Sequence, residues 1–161
     1  MITLSYRQPM PTLIALGIKP IENRTWRLPE RYKGKRVLIH ASGKPWTWQH
    51  TLAYIRSLEH GEEILEIFAK NNFNGEWLRN LPTSAIIGSV VPTDCVINHP
   101  SVWAEKTGAY NSIRLPDIVQ PRENKIVYNW VLSDPVLFDQ PILDVKGKLN
   151  FWEYNGKIPV L

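Results

Sequence analysis

Short runs of β-forming residues, separated by prolines and glycines, constrain the fold of this chain more than any other feature. The sequence predicts strands at 2–6, 21–26, 36–41, 85–97, 128–132, 136–137 and 148–154. Two helical stretches, 46–58 and 62–71, lie between the third and fourth strands, and Thr47 is a suitable N-cap for the first. This order predicts an α+β domain whose sheet curls into a small barrel with flanking helices.

The length and composition fit one globular domain. The chain has 161 residues, of which 43% are hydrophobic and 21% charged, and no apolar run approaches the roughly 20 residues that span a bilayer. The N-terminus lacks the apolar core of a signal peptide, so we expect a cytoplasmic protein without membrane association. Cys95 is the only cysteine, which excludes an internal disulfide and a multi-cysteine zinc site. With no phosphate loop or dinucleotide fingerprint either, we expect no cofactor and no metal.

Positive charge is concentrated near the N-terminus. The formal net charge is +4, and residues 1–36 carry eight basic and two acidic side chains, so the remainder is slightly negative. Cations beside aromatic rings are typical of nucleic-acid surfaces, where they contact phosphates and stack on bases. A solvated basic face with the seven tryptophans in the core is the alternative interpretation. In the first interpretation, five residues form an electrostatic approach surface: Arg27, Arg31, Lys33, Lys35 and Arg36.

The segment from Gly17 to Trp26 carries charges of both signs within a few residues. Strand alternation places Glu22, Arg24 and Trp26 on one face. If that face lined a cleft, Lys19 and Arg24 would lower the pKa of Glu22. Arg24 would offer a planar fork to a phosphate or a base edge, and Trp26 a stacking surface. The alternative is a surface salt-bridge cluster that contributes little stability.

A signature runs through the N-terminal third of the chain. It comprises Gln8, Pro9, Gly17, Lys19, Glu22, Arg24 and Trp26, followed after a turn by Gly34, Ile39, His40 and Ala41. This pattern resembles the ASCH domain (activating signal cointegrator homology), a branch of the PUA-like superfamily. Segments at 85–95, 128–132 and 141–152 extend the resemblance over nearly the whole chain. The resemblance therefore predicts a single ASCH domain over 1–161, with a helical insertion at about 46–80 and a polar excursion at about 98–125.

The resemblance implies a small PUA-like β-barrel with a cleft lined by the Lys, Glu and Arg of the signature. It also implies binding of RNA or another nucleic acid. We therefore expect the chain to bind RNA, another nucleic acid or a nucleotide-like small molecule. The expected ligand-binding residues are Lys19, Glu22, Arg24 and Trp26, with Ser42 and Lys44 at the same rim.

An enzymatic alternative follows from the same resemblance. One bacterial subgroup of the family hydrolyses acylated cytidines, as an N4-acylcytidine amidohydrolase, and other members act as ribonucleases. In that subgroup a Lys is followed three residues later by a Thr nucleophile, whereas here Lys19 is followed by Glu22. The expected nucleophile is therefore missing. In the catalytic form of this alternative, Lys19 and Glu22 are the catalytic residues, with Glu22 as general base on water and Glu105 as a second carboxylate.

The remaining aromatic and imidazole side chains divide between core and surface. We expect Trp130 and Trp152 to lie in the core, and His40 to be a packed strand-end residue rather than a base. Trp103 lies in the polar excursion beside Glu105, so we expect it to be an exposed aromatic of a lid.

Overall fold

One six-stranded sheet organises the structure. The computed structural model describes residues 1–108 and 126–159, and within these the strands follow the order β2-β5-β4-β3-β1-β6. β1 and β3 pair in parallel, and the other neighbours pair antiparallel. The strand bounds are Ile2–Tyr6 (β1), Ile21–Arg24 (β2), Val37–Ala41 (β3), Ala85–Val96 (β4), Tyr128–Ile142 (β5) and Phe151–Glu153 (β6).

The strands occur where the sequence predicts them, with differences at their ends. β2 ends at Arg24 rather than at residue 26. The interruption expected at 133–135 does not occur, because Asp134 adopts a positive φ of 50° and the pairing with β4 shifts register around it. A second register shift between Pro92 and Asp94 confirms the bulge expected at Pro92.

In the described residues, four α-helices accompany the sheet. They are α1 (Met10–Ala15), α2 (Trp48–Ser57), α3 (Gly61–Lys70) and α4 (Gly75–Arg79), and a 3₁₀ turn spans Glu30–Tyr32. Thr47 is the N-cap of α2, since its Oγ1 accepts a hydrogen bond from the His50 amide at 3.1 Å. The inner faces of α2 and α3 pack against α1 and β2 through three buried side chains, Ile55, Ile64 and Phe68.

Aromatic side chains show that the sheet is curled. β2 and β6 are its two edges, yet Phe151 of β6 stacks on Trp130 of β5 at 5.7 Å between ring centroids. Trp26, just after β2, meets Trp130 edge-on at 4.6 Å and Phe151 at 5.8 Å. Because these contacts join residues from opposite sides of the sheet, the sheet forms a curled half-barrel around an apolar core. The expected α+β class and barrel-like sheet are confirmed.

Trp103 is buried, whereas the sequence predicts that it is exposed. It is 1% exposed and packs in the core beneath α2 and α3, so the prediction of an exposed lid aromatic was wrong. Asn23 and Asn129 explain this placement, because their side chains bond to the backbone at Trp103, Glu105 and the preceding turn. With its backbone polar groups satisfied, the segment docks on β2 and β5. Residues 109–125 of the polar excursion lie outside the described residues.

Candidate functional site

A cleft of about 1180 Å³ opens between β1, β2, the end of β3 and α2. Segments from distant parts of the chain complete its wall, at 105–106 and at 146–149. Its described lining carries two carboxylates, Glu22 and Glu105, against seven basic side chains: Arg7, Lys19, Arg24, Lys44, Lys106, Lys146 and Lys148. The cleft is therefore positively charged.

Lys19, Glu22 and Arg24 form a charge cluster in the wall of the cleft. Lys19 is 2% exposed, and its Nζ donates to Glu22 Oε2 at 3.0 Å and to the Ile21 carbonyl. Arg24 Nε lies 2.9 Å from Glu22 Oε1. β-strand alternation puts Glu22 and Arg24 on the same face of β2, and the turn at Gly17, where φ is +75°, brings Lys19 back beside them. Lys19 and Glu22 are thus buried and Arg24 is partly buried, unlike the exposed ion pairs of the alternative interpretation.

The charge cluster keeps Glu22 ionised. Burial alone would raise the pKa of Glu22, but the positive charges of Lys19 and Arg24 outweigh it and hold the pKa below its ordinary value. Burial and the Glu22 charge raise the pKa of the neighbouring Tyr6 hydroxyl, which stays neutral. The Arg24 guanidinium lies 5.4 Å from the centroid of the Tyr6 ring and 6.0 Å from that of Trp130. The cluster therefore combines one carboxylate acceptor with two cations, and its Arg24 side chain packs over two aromatic rings.

Three aromatic side chains line the α2 side of the cleft. The rings of Trp46 and His50 stack at 4.5 Å between centroids with 22° between their planes, and Tyr54 meets Trp46 edge-on at 5.1 Å. His50 and Tyr54 are four residues apart on α2, so they share one helix face. Burial, followed by the charge of Glu105, raises the pKa of Tyr54, whose hydroxyl accepts a hydrogen bond from Asn23. These rings give the cleft a flat, neutral wall.

His40 connects β3 to the segment that carries Lys146 and Lys148. Its Nε2 lies 2.9 Å from the Val145 carbonyl and its Nδ1 lies 3.0 Å from Ser5 Oγ. Because a carbonyl only accepts, Nε2 carries the proton and Ser5 donates to Nδ1. Burial lowers the pKa of His40, which favours this neutral form. His40 is 1% exposed, as expected for a packed residue.

Two of the predicted rim residues line the cleft, and Trp26 does not. Ser42 and Lys44 both contribute to the lining, at the end of β3. Trp26 is partly buried and packs instead against the core residue Trp130 and against Phe151, outside the described lining. The reason is that β2 ends at Arg24, so the strand alternation that predicted its orientation does not extend to residue 26.

The predicted electrostatic surface lies elsewhere. Arg27, Arg31, Lys33, Lys35 and Arg36 are absent from the described lining of the cleft. Lys33 pairs with Asp94 at 2.9 Å, and Arg36 bonds to Ser89 and Asp134. Lys35 and Arg36 directly precede β3, whereas Ser42 and Lys44 of the cleft follow its C-terminal end; a strand of this length separates its ends by roughly 17 Å.

Sequence reasoning missed most of the basic rim. Arg7, Lys146 and Lys148 all line the cleft, yet they were not among the predicted site residues. The Lys-Gly-Lys sequence at 146–148 belongs to the segment 141–152 of the family resemblance, which implies no role for these lysines. Lys146 is more than 100 residues from β2, so no local pattern indicates that it lines the same cleft as the charge cluster.

The described residues include no group of three or more His, Cys, Asp or Glu side chains placed to hold a metal ion. In the same part of the chain, no helix has both the length and the apolar character needed to cross a membrane.

Comparison with known proteins supports the resemblance seen in the sequence. No protein-family model matches the chain. The chain is 27% identical over 158 residues to Activating signal cointegrator 1 of Mus musculus. The match covers 96% of this chain and 22% of that protein, so the chain spans about a fifth of its relative's length. Together with the signature residues and the curled α+β sheet, this similarity supports the resemblance of the chain to the ASCH-domain family.

Proposed function

We propose that this protein binds nucleic acid, with RNA as the favoured ligand, through the cleft beside β2. The resemblance to the ASCH-domain family supports a nucleic-acid-binding role. The positive lining supports it independently, because phosphates are the anions that a groove rich in Lys and Arg attracts. The rim carries three exposed lysines that can contact the phosphates of a nucleic acid while staying largely hydrated: Lys44, Lys146 and Lys148.

The charge cluster is the observation that carries this proposal. Glu22 is a carboxylate with lone pairs beyond those used by Lys19 and Arg24, so it can accept from an exocyclic amine of a base. The Nη atoms of Arg24 can donate to a phosphate or a base carbonyl. The cluster thus provides the polar contacts that an unpaired base requires, and the neutral aromatic wall along α2 adds a stacking surface elsewhere in the cleft.

The geometry favours binding over hydrolysis by Glu22. A general base works best when its pKa lies near the working pH, whereas that of Glu22 is lowered. Both of its oxygens also face a cation within 3.0 Å. Release of acetate from an acylated cytidine is therefore the activity assay that separates the two functions, and we expect no turnover.

The experiment measures the binding of a short RNA and the matching DNA strand by fluorescence anisotropy at two salt concentrations. The double variant Lys44→Ala/Lys148→Ala removes two charges from the cleft. The matched control, Lys33→Ala/Lys35→Ala, removes two exposed charges outside the described lining.

We expect the cleft variant to bind about tenfold more weakly and its logarithmic salt slope to fall by about 2, since each of the two lysines would neutralise roughly one phosphate. The control should differ little from the wild type. Equal weakening of both variants would show that binding is not localised to the cleft. Absence of binding by the wild type would overturn the proposed function itself.

A further inference from the structure

We propose that the cleft contains a second subsite, formed by Trp46, His50 and Arg7, that stacks one base and holds the adjoining phosphate. The ligand is then a single-stranded oligonucleotide of at least two nucleotides rather than a mononucleotide. This inference rests on the proposed function. It assigns the first nucleotide to the charge cluster and the second to residues that the family signature does not include.

The stacked pair is held in place before any ligand binds. The Trp46 amide donates to the Gln8 carbonyl at 2.8 Å, and Thr47 caps the helix turn that carries His50. The edge of Tyr54 supports the Trp46 ring at 5.1 Å. Because the two rings are already nearly parallel, a base that stacks on them loses little additional conformational freedom.

Arg7 is oriented beside this pair by the backbone. Its Nε donates to the Lys44 carbonyl at 2.9 Å and its Nη2 lies 3.4 Å from the Pro45 carbonyl. No ion pair involves Arg7 among the described residues, so its charge is not neutralised by a carboxylate there. Because Lys44 and Pro45 directly precede Trp46, these two bonds hold the guanidinium near the stacked pair. Burial, followed by the charge of Arg7, lowers the pKa of His50. The remaining N–H groups of Arg7 are those that can donate to a phosphate.

The second subsite uses different groups from the first. The charge cluster lies against Tyr6 and Trp130, whereas the stacked pair contacts Tyr54. The cleft, at about 1180 Å³, also exceeds the range of roughly 300–1000 Å³ that is typical of small-molecule sites. One cleft therefore presents two sets of cations and rings, which matches two successive nucleotides.

The test compares a nucleoside 5′-monophosphate with di- and tetranucleotides of the same base, titrated into the full chain by calorimetry. Two variants remove the stacking surface, Trp46→Leu and His50→Ala, and Arg7→Gln removes the phosphate contact. Trp77→Leu is the matched control, because Trp77 also stacks on an aromatic ring, Phe73 at 4.2 Å, but lies outside the described lining. Near-ultraviolet circular dichroism verifies that each variant is folded.

We expect the dinucleotide to bind about tenfold more tightly than the monophosphate, and each of the three cleft variants to lose most of that gain. Binding of the monophosphate and the behaviour of Trp77→Leu should stay unchanged. Equal affinities for mono- and dinucleotide would overturn this inference while leaving the proposed function intact. Retention of the full gain by Trp46→Leu and His50→Ala would likewise overturn it. If no nucleotide of any length binds, the proposed function fails as well.

Discussion

Glu22 is 8% exposed, and its carboxylate lies between Lys19 Nζ at 3.0 Å and Arg24 Nε at 2.9 Å. Removing a charge from water costs several kcal/mol, and here two cations on one anion offset that cost. The same arrangement makes each member depend on the others, since the loss of one partner leaves a buried charge uncompensated. A single residue therefore links the stability of the fold to the electrostatics of the cleft.

The lowered pKa of Glu22 predicts a pH dependence of stability. A carboxyl group whose pKa is lower in the folded than in the unfolded chain stabilises the fold above its unfolded pKa, and this contribution is lost as the pH falls through the folded pKa. Glu22→Gln should reduce the free energy of unfolding at neutral pH by about 3 kcal/mol, because Lys19 stays buried without an anion. The variant should also lose less stability than the wild type on acidification from about pH 5 to pH 3. Urea unfolding over this range measures both effects.

Asp94 provides the control for this prediction. It also has a lowered pKa, caused first by its hydrogen bond with Lys33, but it lies on the surface. Asp94→Asn should change stability little, since exposed ion pairs contribute little. If the wild type and Glu22→Gln lost the same free energy of unfolding on acidification, that result would contradict the role given to Glu22.

At the scale of elements, the packing of α1 and β5 on β4 depends on Gly88, because glycine has no side chain to keep them apart. A Cβ at this position would lie 3.2 Å from the Cβ of Ala15 in α1 and would overlap the Val136 carbonyl of β5. β4 lies between β3 and β5 in the sheet, so neither neighbour can move away without disturbing the pairing. The close approach of α1 and β5 therefore requires glycine.

Gly88→Ala should lower the free energy of unfolding by about 2 kcal/mol or more, because it overpacks a rigid part of the sheet. Gly75→Ala in α4 is the matched control, since its added Cβ would meet Trp48 at an ordinary 3.5 Å. That variant should be neutral or slightly stabilising, as alanine restricts the unfolded chain. Urea titrations of both variants test this. Comparable losses of stability in the two variants would mean that close packing does not require glycine at position 88.

At the scale of the whole molecule, the curl of the sheet determines where the rim of the cleft lies. The segment carrying Lys146 and Lys148 connects β5 to β6, and β6 is three residues long and pairs with β1 at the sheet edge. Phe151 joins β6 to the opposite side through its stack on Trp130. The aromatic packing within the half-barrel therefore supports the basic rim as well as the core.

Phe151→Ala should destabilise the fold by about 2–3 kcal/mol, because it removes buried apolar surface and the ring's packing on its aromatic neighbours. It should also speed amide hydrogen exchange at 143–153 more than in β4, since β6 loses its link across the barrel. Phe73→Ala is the comparison, because it removes a ring stacked at 4.2 Å on Trp77, away from β6. Exchange at 143–153 that responds equally to both substitutions would contradict this account.

The sequence by itself determined the features that depend on neighbouring residues. Strand positions follow from runs of β-forming side chains, the start of α2 from Thr47, and the charge cluster from residues at most five positions apart. In each case the interacting groups are close along the chain. Such groups meet whenever the local backbone conformation forms, whatever the rest of the molecule does.

Only the tertiary structure decided which residues complete the cleft. The curl of the sheet brings the segment of Lys146 beside the end of β3, while the length of β3 separates Lys35 and Arg36 from that end. Trp103 is a core residue and Trp26 packs against the core, and hydrogen bonds with Trp130, Asn23 and Asn129 satisfy the backbone around them. Contacts between residues far apart in the chain depend on sheet order, register and packing together, and no single segment of sequence encodes these.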